Sequence, residues 1–321
     1  MTEKIWNGHE SDALLFGLKI DFDDNAKYEL VWEDDFDKNF LDLSKWSANG
    51  CGSWNGDTEF TYDKEHWNFE NSIAKLTMTK YDKPNENGKL YLNSYSFVTS
   101  DKMNFQYGYL EMRAKAPFYK KGEFPAFWLL SSQAILSRKQ LDYKPTDCRI
   151  EIDIFENFST LDTLVPNLHK YENKDNGRHC QLSGIDNGAA KSGTRVYKFP
   201  QGINPNDFHN YGMLWTDKFI SFSVDGDFYY TYDLSKNFGD FGSMDGFHQP
   251  VGIIISNQIF SEGWAKVNSW AASVGAAKEE LFPLDYEIDY VKLYQKKGSK
   301  LILNDEPDLK NPLDKSDKRL Y

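Results

Sequence analysis

Apolar and polar residues alternate in short runs along most of the chain from Tyr28 onward. Successive side chains of a β-strand point to opposite faces, so this period of two predicts strands that are buried on one face. Asp225-Gly226 separates two such runs and predicts a tight hairpin turn. Many short strands separated by turn residues predict an all-β fold, an antiparallel β-sandwich or jelly roll. The clearest runs are residues 73–80, 90–98, 108–116, 219–224, 228–232 and 286–294.

The same pattern divides the chain into three parts. Residues 1–28 lack clear periodicity and are predicted to form an N-terminal extension. Residues 29–296 carry the alternating runs without an internal repeat or a linker, which predicts a single domain. Residues 297–321 are charged and rich in Asp and Lys, which predicts a C-terminal tail. Helical periodicity is confined to residues 132–140 and 271–281, where we expect short helices.

One strand-like run, residues 149–158, carries three carboxylates among β-branched and aromatic residues. Glu151 and Asp153 are two residues apart and therefore share one face of the predicted strand. Glu156 lies three residues past Asp153, so regular alternation would turn it to the other face. A β-bulge between Asp153 and Glu156 would return it to the shared face. Buried carboxylates are costly unless they are paired or used. We predict this bulge because three carboxylates on one face make a catalytic row.

A row of this kind suits glycoside hydrolysis. In the retaining route, two carboxyl groups about 5–5.5 Å apart act as nucleophile and acid/base. The spacing favours Glu151 as the nucleophile, Asp153 as a helper that orients it, and Glu156 as the acid/base. The charge of Asp153 would help to raise the pKa of Glu156. Two other interpretations stay open: acidic residues that face solvent on an exposed strand, and a row that binds calcium or magnesium.

Composition narrows the range of partners. The formal net charge of −12 argues against nucleic acid and anionic membranes as partners. Aromatic residues make up 16% of the chain; they can form a core, and they also suit a cleft in which rings stack on sugars. No run approaches the ~18 apolar residues that a membrane helix needs. Together with the carboxylate row, this composition favours a polysaccharide or oligosaccharide as substrate and no membrane partner. We also expect the protein to be a monomer.

The cysteines and the N-terminus give weaker indications. Three cysteines are too few for a disulfide framework, and Cys148, His169, His179 and Cys180 lack the ligand spacing of a zinc site. Residues 1–20 are polar and lack the apolar core of a signal peptide. The protein is therefore expected to be cytoplasmic, or, if a signal was removed before Met1, secreted or periplasmic.

The carboxylate run is recognisable as a motif. Glu151-Ile152-Asp153-Ile154-Phe155-Glu156 resembles the Glu-x-Asp-x-x-Glu signature of glycoside hydrolase family 16. Six further segments resemble landmarks of that family in the same order, and together the matches extend from Tyr28 to Gln295. These segments are residues 32–37 with 43–46, 59–62, 107–115, 125–130, 209–216 and 289–294.

The resemblance implies a jelly roll of two antiparallel sheets, of which the concave one forms a substrate cleft. It also implies endo-hydrolysis of a β-linked polysaccharide with retention, with no cofactor required for catalysis. Two residues before the final Glu are typical of laminarinase-like enzymes and of hydrolases of marine galactans. We therefore expect β-1,3-glucan of the laminarin type as the substrate. A β-1,4-linked galactan of the agar or carrageenan type, or a host glycan, is the alternative.

Residues outside the motif extend the predicted site. Those that resemble substrate-binding positions of the family are Trp128, His169, Asn257 and Gln258. Trp54 and Asn55 lie on a glycine-bearing loop that we expect at the cleft edge. Asp289 resembles a position that often supports a structural calcium, although an Asp that caps the backbone is an equal alternative. Trp128 is likewise interpreted either as a sugar platform or as a core residue.

The segment just before the nucleophile departs from the laminarinase pattern. Laminarinase-like members usually carry a Trp there that stacks on sugar, whereas residues 144–149 contain none. Arg149 shares the predicted face of Glu151; it would either pair with Glu151 or bind an anionic group on the substrate. These departures weaken the prediction of a glucan substrate more than they weaken the prediction of hydrolysis. A sugar-binding sandwich without catalysis is a further alternative, against which the three retained carboxylates argue.

Overall fold

The computed structural model describes residues 4–13, 20–21, 23–49, 57–100, 102–118, 122–131, 149–157, 162–171, 183–184, 196–236, 244, 246–267, 275–276 and 281–303. These residues form strands joined by short connections, with one short 3-10 helix, Glu10–Ala13, and one short α-helix, α1, Glu262–Val267. Neither described helix has the length and the apolar character that crossing a membrane requires. The strands in chain order are β1 Ile5–Trp6, β2 Tyr28–Asp34, β3 Ser47–Asn49, β4 Thr58–Thr61, β5 Trp67–Glu70, β6 Ile73–Lys80, β7 Tyr91–Ser94, β8 Ser96–Val98, β9 Met103–Gln106, β10 Gly108–Lys115, β11 Glu123–Ser131, β12 Arg149–Glu156, β13 Thr163–Tyr171, β14 Ser183–Gly184, β15 Tyr197–Lys198, β16 His209–Trp215, β17 Phe219–Val224, β18 Asp227–Asp233, β19 Val251–Ile259, β20 Leu284–Lys296 and β21 Lys300–Leu303.

The described strands form two sheets. The front sheet contains the carboxylate strand and has the order β14-β13-β12-β11-β19-β8-β3, with β15 on β13 and with β9 joining β19 to β21. The back sheet has the order β18-β17-β16-β10-β20-β6-β7-β4, with β2 joining β20 to β1 and with β5 on β6. The pairs among these strands are antiparallel except β4 with β7. Two largely antiparallel sheets confirm the predicted all-β jelly roll.

A large apolar cluster fills most of the space between the sheets. Phe127, Ile152 and Ile253 contribute to it from the front sheet, and Leu110 and Ile288 contribute from the back sheet. All five are fully buried. Because alternate residues of each front-sheet strand are committed to this interior, the remaining positions must face the other side of the sheet. The phase of each strand therefore determines which side chains are available for a ligand.

Several local predictions agree closely with the strands. The runs at residues 73–80 and 219–224 are strands β6 and β17. Asp225 and Gly226 have φ values of 51° and 85°, as a type I′ hairpin turn requires, which confirms the predicted turn between β17 and β18. The run at residues 90–98 is instead divided at the buried Tyr95, so β7 lies in the back sheet and β8 in the front sheet. Alternation alone does not reveal such a change of sheet.

The chain ends are more integrated than their composition predicts. Strand β1 pairs with β2, and the Trp6 ring stacks on Tyr109 of the back sheet with ring centroids 4.4 Å apart. Strand β21 pairs with β9, so the tail predicted from residue 297 begins with an ordered strand. The helix predicted at residues 132–140 lies outside the described residues, as do most of residues 271–281. Helix α1 was not predicted from the sequence.

Glu10 should contribute to stability because it anchors the N-terminal segment on the back sheet. Its buried carboxylate accepts a hydrogen bond from the Tyr28 hydroxyl at 2.8 Å and pairs with Lys296. Glu10→Ala would leave the buried hydroxyl of Tyr28 without its acceptor, and we expect a loss of about 1–3 kcal/mol in the free energy of unfolding. Urea denaturation measures this loss, with exposed Glu29→Ala as the matched control. Equal stability of the two variants would contradict the assignment.

Candidate active site

Strand β12 contains the predicted bulge. Against β11, Asp153 lies opposite Trp128 and Glu156 lies opposite Ala126, so three steps along β12 match two steps along β11. Against β13, the register shifts at the same point, between Asp153 and Glu156. The extra residue turns both Ile154 and Phe155 toward the interior, where both are buried. It also brings Glu156 to the face that Glu151 and Asp153 occupy, and the predicted bulge is therefore confirmed.

His169 lies beside two of these carboxylates. It is the direct neighbour of Glu151 on β13. Its Nε2 atom is 3.2 Å from Oδ2 of Asp153 and 3.8 Å from Oε1 of Glu151. The Asn167 amide nitrogen lies 2.9 Å from the same Nε2 atom, and Oδ1 of Asn167 accepts a hydrogen bond from the Leu168 backbone at 3.0 Å. Asn167 therefore fixes the imidazole next to the carboxylates.

The surroundings of Glu156 change the acidity of its carboxyl group. Burial raises its pKa well above the ordinary value for glutamate. The negative charges of Asp153 and Glu151 raise this pKa further, and so does a hydrogen bond with Asp153, whereas the nearby His169 lowers it. Glu156 therefore retains a proton at a pH at which an ordinary glutamate is ionised. A protonated carboxyl group beside other carboxylates can act as a general acid.

Strands β11 and β19 continue this face away from β12. Trp128 is partly exposed and packs against Val98, Leu130 and Ile254, and its Nε1 atom donates to the Ser256 hydroxyl at 3.1 Å. Gln258 lies on the same face, because Ser256 and Gln258 face Ala126 and Phe124 across β11. Trp128, His169 and Gln258 are therefore on the carboxylate side of the front sheet, as predicted. Their roles in binding stay predictions.

Asn257 lies on the opposite face. It neighbours Pro125 on β11, out of phase with the carboxylates, and it is buried. Its side-chain amide donates to the Leu284 backbone carbonyl in the back sheet at 3.3 Å. Its backbone carbonyl accepts a hydrogen bond from the side-chain amide of Asn93 at 2.5 Å. The prediction that Asn257 lines the cleft is therefore wrong, because its side chain connects the two sheets.

Other predicted residues are only partly described. Arg149 begins β12 opposite Tyr171, but its side chain lies outside the description, as do Trp54 and Asn55. Cys148, His179 and Cys180 of the rejected zinc arrangement also lie outside it. Two residues of the carboxylate face, Asn167 and Ser256, were not predicted. Asn167 lies two residues before His169, and Ser256 lies two residues before Gln258. Strand alternation alone would therefore have placed both on the correct face.

Two places bear on metal binding. Asp289 is paired with Arg113, with Oδ2 and Nη1 2.5 Å apart. This cation on the carboxylate does not favour calcium, and a calcium ion at Asp289 stays a prediction. Within the described part of the chain, one group of three His, Cys, Asp or Glu side chains has its possible ligand atoms within 4.8 Å of one another. It consists of Glu151, Asp153 and His169. These are the residues that the candidate catalytic row already uses.

Comparison with known proteins gives a family match over most of the chain. Residues 30–296 match the family model described as "Beta-porphyranase A-D, GH16 domain". The laminarinase structure from Rhodothermus marinus superposes with a TM-score of 0.62 at 24% identity, covering 85% of this chain and 99% of that one. This similarity supports the jelly-roll fold.

Curated relatives are more distant in sequence. The β-glucanase of Rhodothermus marinus is 28% identical over 88% of this chain and 92% of its own length. The glucan endo-1,3-β-glucosidase A1 of Niallia circulans is 28% identical over 64% of this chain, which spans only 29% of that relative. The κ-carrageenase of Pseudoalteromonas carrageenovora is 26% identical over 81% of this chain and 63% of its own length. With the family model covering residues 30–296, the chain belongs to glycoside hydrolase family 16.

Proposed function

We propose that the protein is an endo-acting β-glycosidase that cleaves a polysaccharide by double displacement, with retention of configuration. The observation that carries this proposal is the bulged strand β12, on which Glu151, Asp153 and Glu156 share one face. Family membership and the glucanase and carrageenase relatives support hydrolysis of a glycosidic bond. A β-sandwich that only binds sugar would not need an ionised nucleophile, Glu151, on the same strand face as a protonated acid, Glu156.

Glu151 is the proposed nucleophile. Its carboxylate attacks the anomeric carbon, and the bond from that carbon to the glycosidic oxygen breaks as Glu156 donates its proton to the leaving oxygen. The product of this step is a glycosyl ester on Glu151. In the second step a water molecule loses a proton to Glu156 and attacks the anomeric carbon, and the ester bond to Glu151 breaks.

The charges of the row allow Glu156 to change roles between the two steps. In the free enzyme, the ionised Glu151 and Asp153 help to keep Glu156 protonated, as an acid requires. Once Glu151 carries the sugar, its negative charge is gone, and the pKa of Glu156 falls. Glu156 is then ready to accept a proton from water. Asp153 and His169 keep their contacts with the row and orient Glu151 in both steps.

A sulfated galactan is the substrate that we propose first. The matching family model is described as β-porphyranase, and a κ-carrageenase is among the relatives; porphyran and carrageenan are both galactans that carry sulfate esters. Arg149, and Arg138, Lys139 and Lys144 before it, supply cations that suit a sulfate group. β-1,3-Glucan stays the second candidate, because the Niallia circulans relative is named a glucan endo-1,3-β-glucosidase and the Rhodothermus marinus relative a β-glucanase.

Product analysis on a panel of polysaccharides separates these candidates. We expect porphyran or carrageenan to be shortened to oligosaccharides, because their sulfate groups match the basic segment before Glu151. Laminarin and mixed-linkage glucan should be cut at most weakly. Size-exclusion and mass analysis of the products measure both outcomes. Rapid cleavage of laminarin with no cleavage of any galactan would reverse the order of the two candidates.

Substitution of the two glutamates should separate their roles. We expect Glu151→Gln and Glu156→Gln each to lower kcat at least about a hundredfold, because each removes a group that makes or breaks a bond. With azide and an aryl glycoside of the substrate, Glu156→Ala should yield a glycosyl azide of retained configuration and Glu151→Ala one of inverted configuration. NMR of the anomeric proton identifies each product.

Glu287→Gln provides the matched control for these variants. Glu287 lies on β20 of the back sheet and pairs with Lys115 at 3.0 Å, away from the carboxylate row. Its activity should equal that of the wild type. Full activity of either Glu151→Gln or Glu156→Gln would remove the assignment of roles.

The acidity of Glu156 should respond in opposite directions to its two neighbours. Asp153→Asn removes a negative charge and should lower the pKa of Glu156, whereas His169→Gln removes the group that lowers it and should raise it. Carbon-13 NMR of glutamate-labelled protein measures this pKa, with the signal assigned by its absence from Glu156→Gln. The basic limb of the pH profile of kcat/KM should move in the same two directions. Shifts of equal sign in the two variants would contradict this account.

A further inference from the structure

The Ser256 hydroxyl joins two side chains on the carboxylate face. It accepts a hydrogen bond from Nε1 of Trp128 at 3.1 Å and another from Nε2 of Gln258 at 3.3 Å. Ser256 is fully buried in β19, and it lies opposite Ala126, the small residue that separates it from Glu156. One hydroxyl thus fixes an aromatic ring and an amide within two strands of the proposed acid/base.

This contact determines the direction in which Trp128 leans. Trp128 belongs to β11, between Asp153 on β12 and Ile254 on β19. Because its Nε1 atom is held by Ser256, the indole lies toward β19 and not toward the carboxylates. Its apolar surface packs on Val98, Leu130 and Ile254. Trp128 also remains partly exposed, as a platform for a sugar ring requires.

Gln258 offers a second indication that this part of the face receives a ligand. Its Nε2 atom donates to Ser256, whereas its Oε1 atom is buried and has no hydrogen-bond partner among the described residues. A buried acceptor without a donor is costly unless water or a ligand supplies one. A sugar hydroxyl beside the Trp128 ring is a donor of the required kind.

We propose that Ser256 is a positioning residue that holds Trp128 as a sugar platform on the β19 side of the carboxylate row. The inference deepens the proposed function and rests on it. A pyranose whose apolar face stacks on this indole would lie on the β19 side of the carboxylate row, with its hydroxyls toward Gln258.

The orientation of Trp128 can be observed without any activity. The protein is labelled with 5-fluorotryptophan, and the fluorine signal of Trp128 is assigned by its absence from Trp128→Phe. Ser256→Ala should shift and broaden this signal, because the ring loses its hydrogen bond, and Ser256→Thr should restore it by returning a hydroxyl. An unchanged Trp128 signal in Ser256→Ala would overturn the proposal, even if the protein cleaves none of the polysaccharides tested.

Kinetics then test whether the orientation matters for binding. A neutral hydrogen bond of this type corresponds to about a two- to twelvefold change in an equilibrium constant. Ser256→Ala should raise KM by about this factor for the polysaccharide that the wild type cleaves, with kcat nearly unchanged. In a Trp128→Phe background, which lacks the indole N–H, the same substitution should have little further effect on KM.

Ser221→Ala is the matched control for the loss of a buried serine. Ser221 is fully buried in β17 of the back sheet and donates to the Ala13 carbonyl at 3.0 Å. We expect this variant to lower the melting temperature and leave KM unchanged. If Ser256→Ala behaves in the same way, Ser256 only supports the sheet, and the proposal fails. A rise in KM that persists undiminished in the Trp128→Phe background would also overturn it.

Discussion

One extra residue in β12 is the constraint on which the site depends. A regular strand would turn Glu156 into the apolar interior, where an unpaired charge is costly. The bulge places Ile154 and Phe155 together in the interior and returns Glu156 to the face of Glu151 and Asp153. The register shifts against both neighbouring strands at this point, so the distortion is built into the centre of the front sheet. The same bulge is therefore required both for the burial of Ile154 and Phe155 and for the shared face of the three carboxylates.

The carboxylate row lowers the stability of the fold at higher pH, because it contains the buried carboxyl group of Glu156. Burial and the charges of Asp153 and Glu151 raise the pKa of Glu156 in the folded protein above its unfolded value. Between these two values the folded state binds a proton that the unfolded state releases. The stability contributed by this group is therefore present below the unfolded pKa and is lost as the pH rises through the folded pKa. The same burial and charge repulsion that keep Glu156 protonated, as its proposed acid role requires, thus weaken the fold at higher pH.

Alternation, turn chemistry and the spacing of the carboxylates predicted much of this structure. The hairpin at Asp225-Gly226 followed from local backbone preference, and the bulge followed from the expectation that three carboxylates share one strand face as a catalytic row. Asn257 was misassigned because β19 is buried on both faces, so its near-continuous apolar run gives no phase. Strands β1 and β21 were missed because they are short and form only through distant partners. Ser256 is recognisable as part of the site only once the register of β11 and β19 is known.

Trapping of the covalent intermediate tests the central claim most directly. A 2-deoxy-2-fluoro glycoside of the oligosaccharide that the protein cleaves should react and leave the sugar attached, because the fluorine slows the second displacement. Mass spectrometry of peptides from the trapped protein then identifies the modified residue. We expect the sugar to be attached to Glu151 on β12. Attachment to Glu156 or to any residue outside the carboxylate row would contradict it.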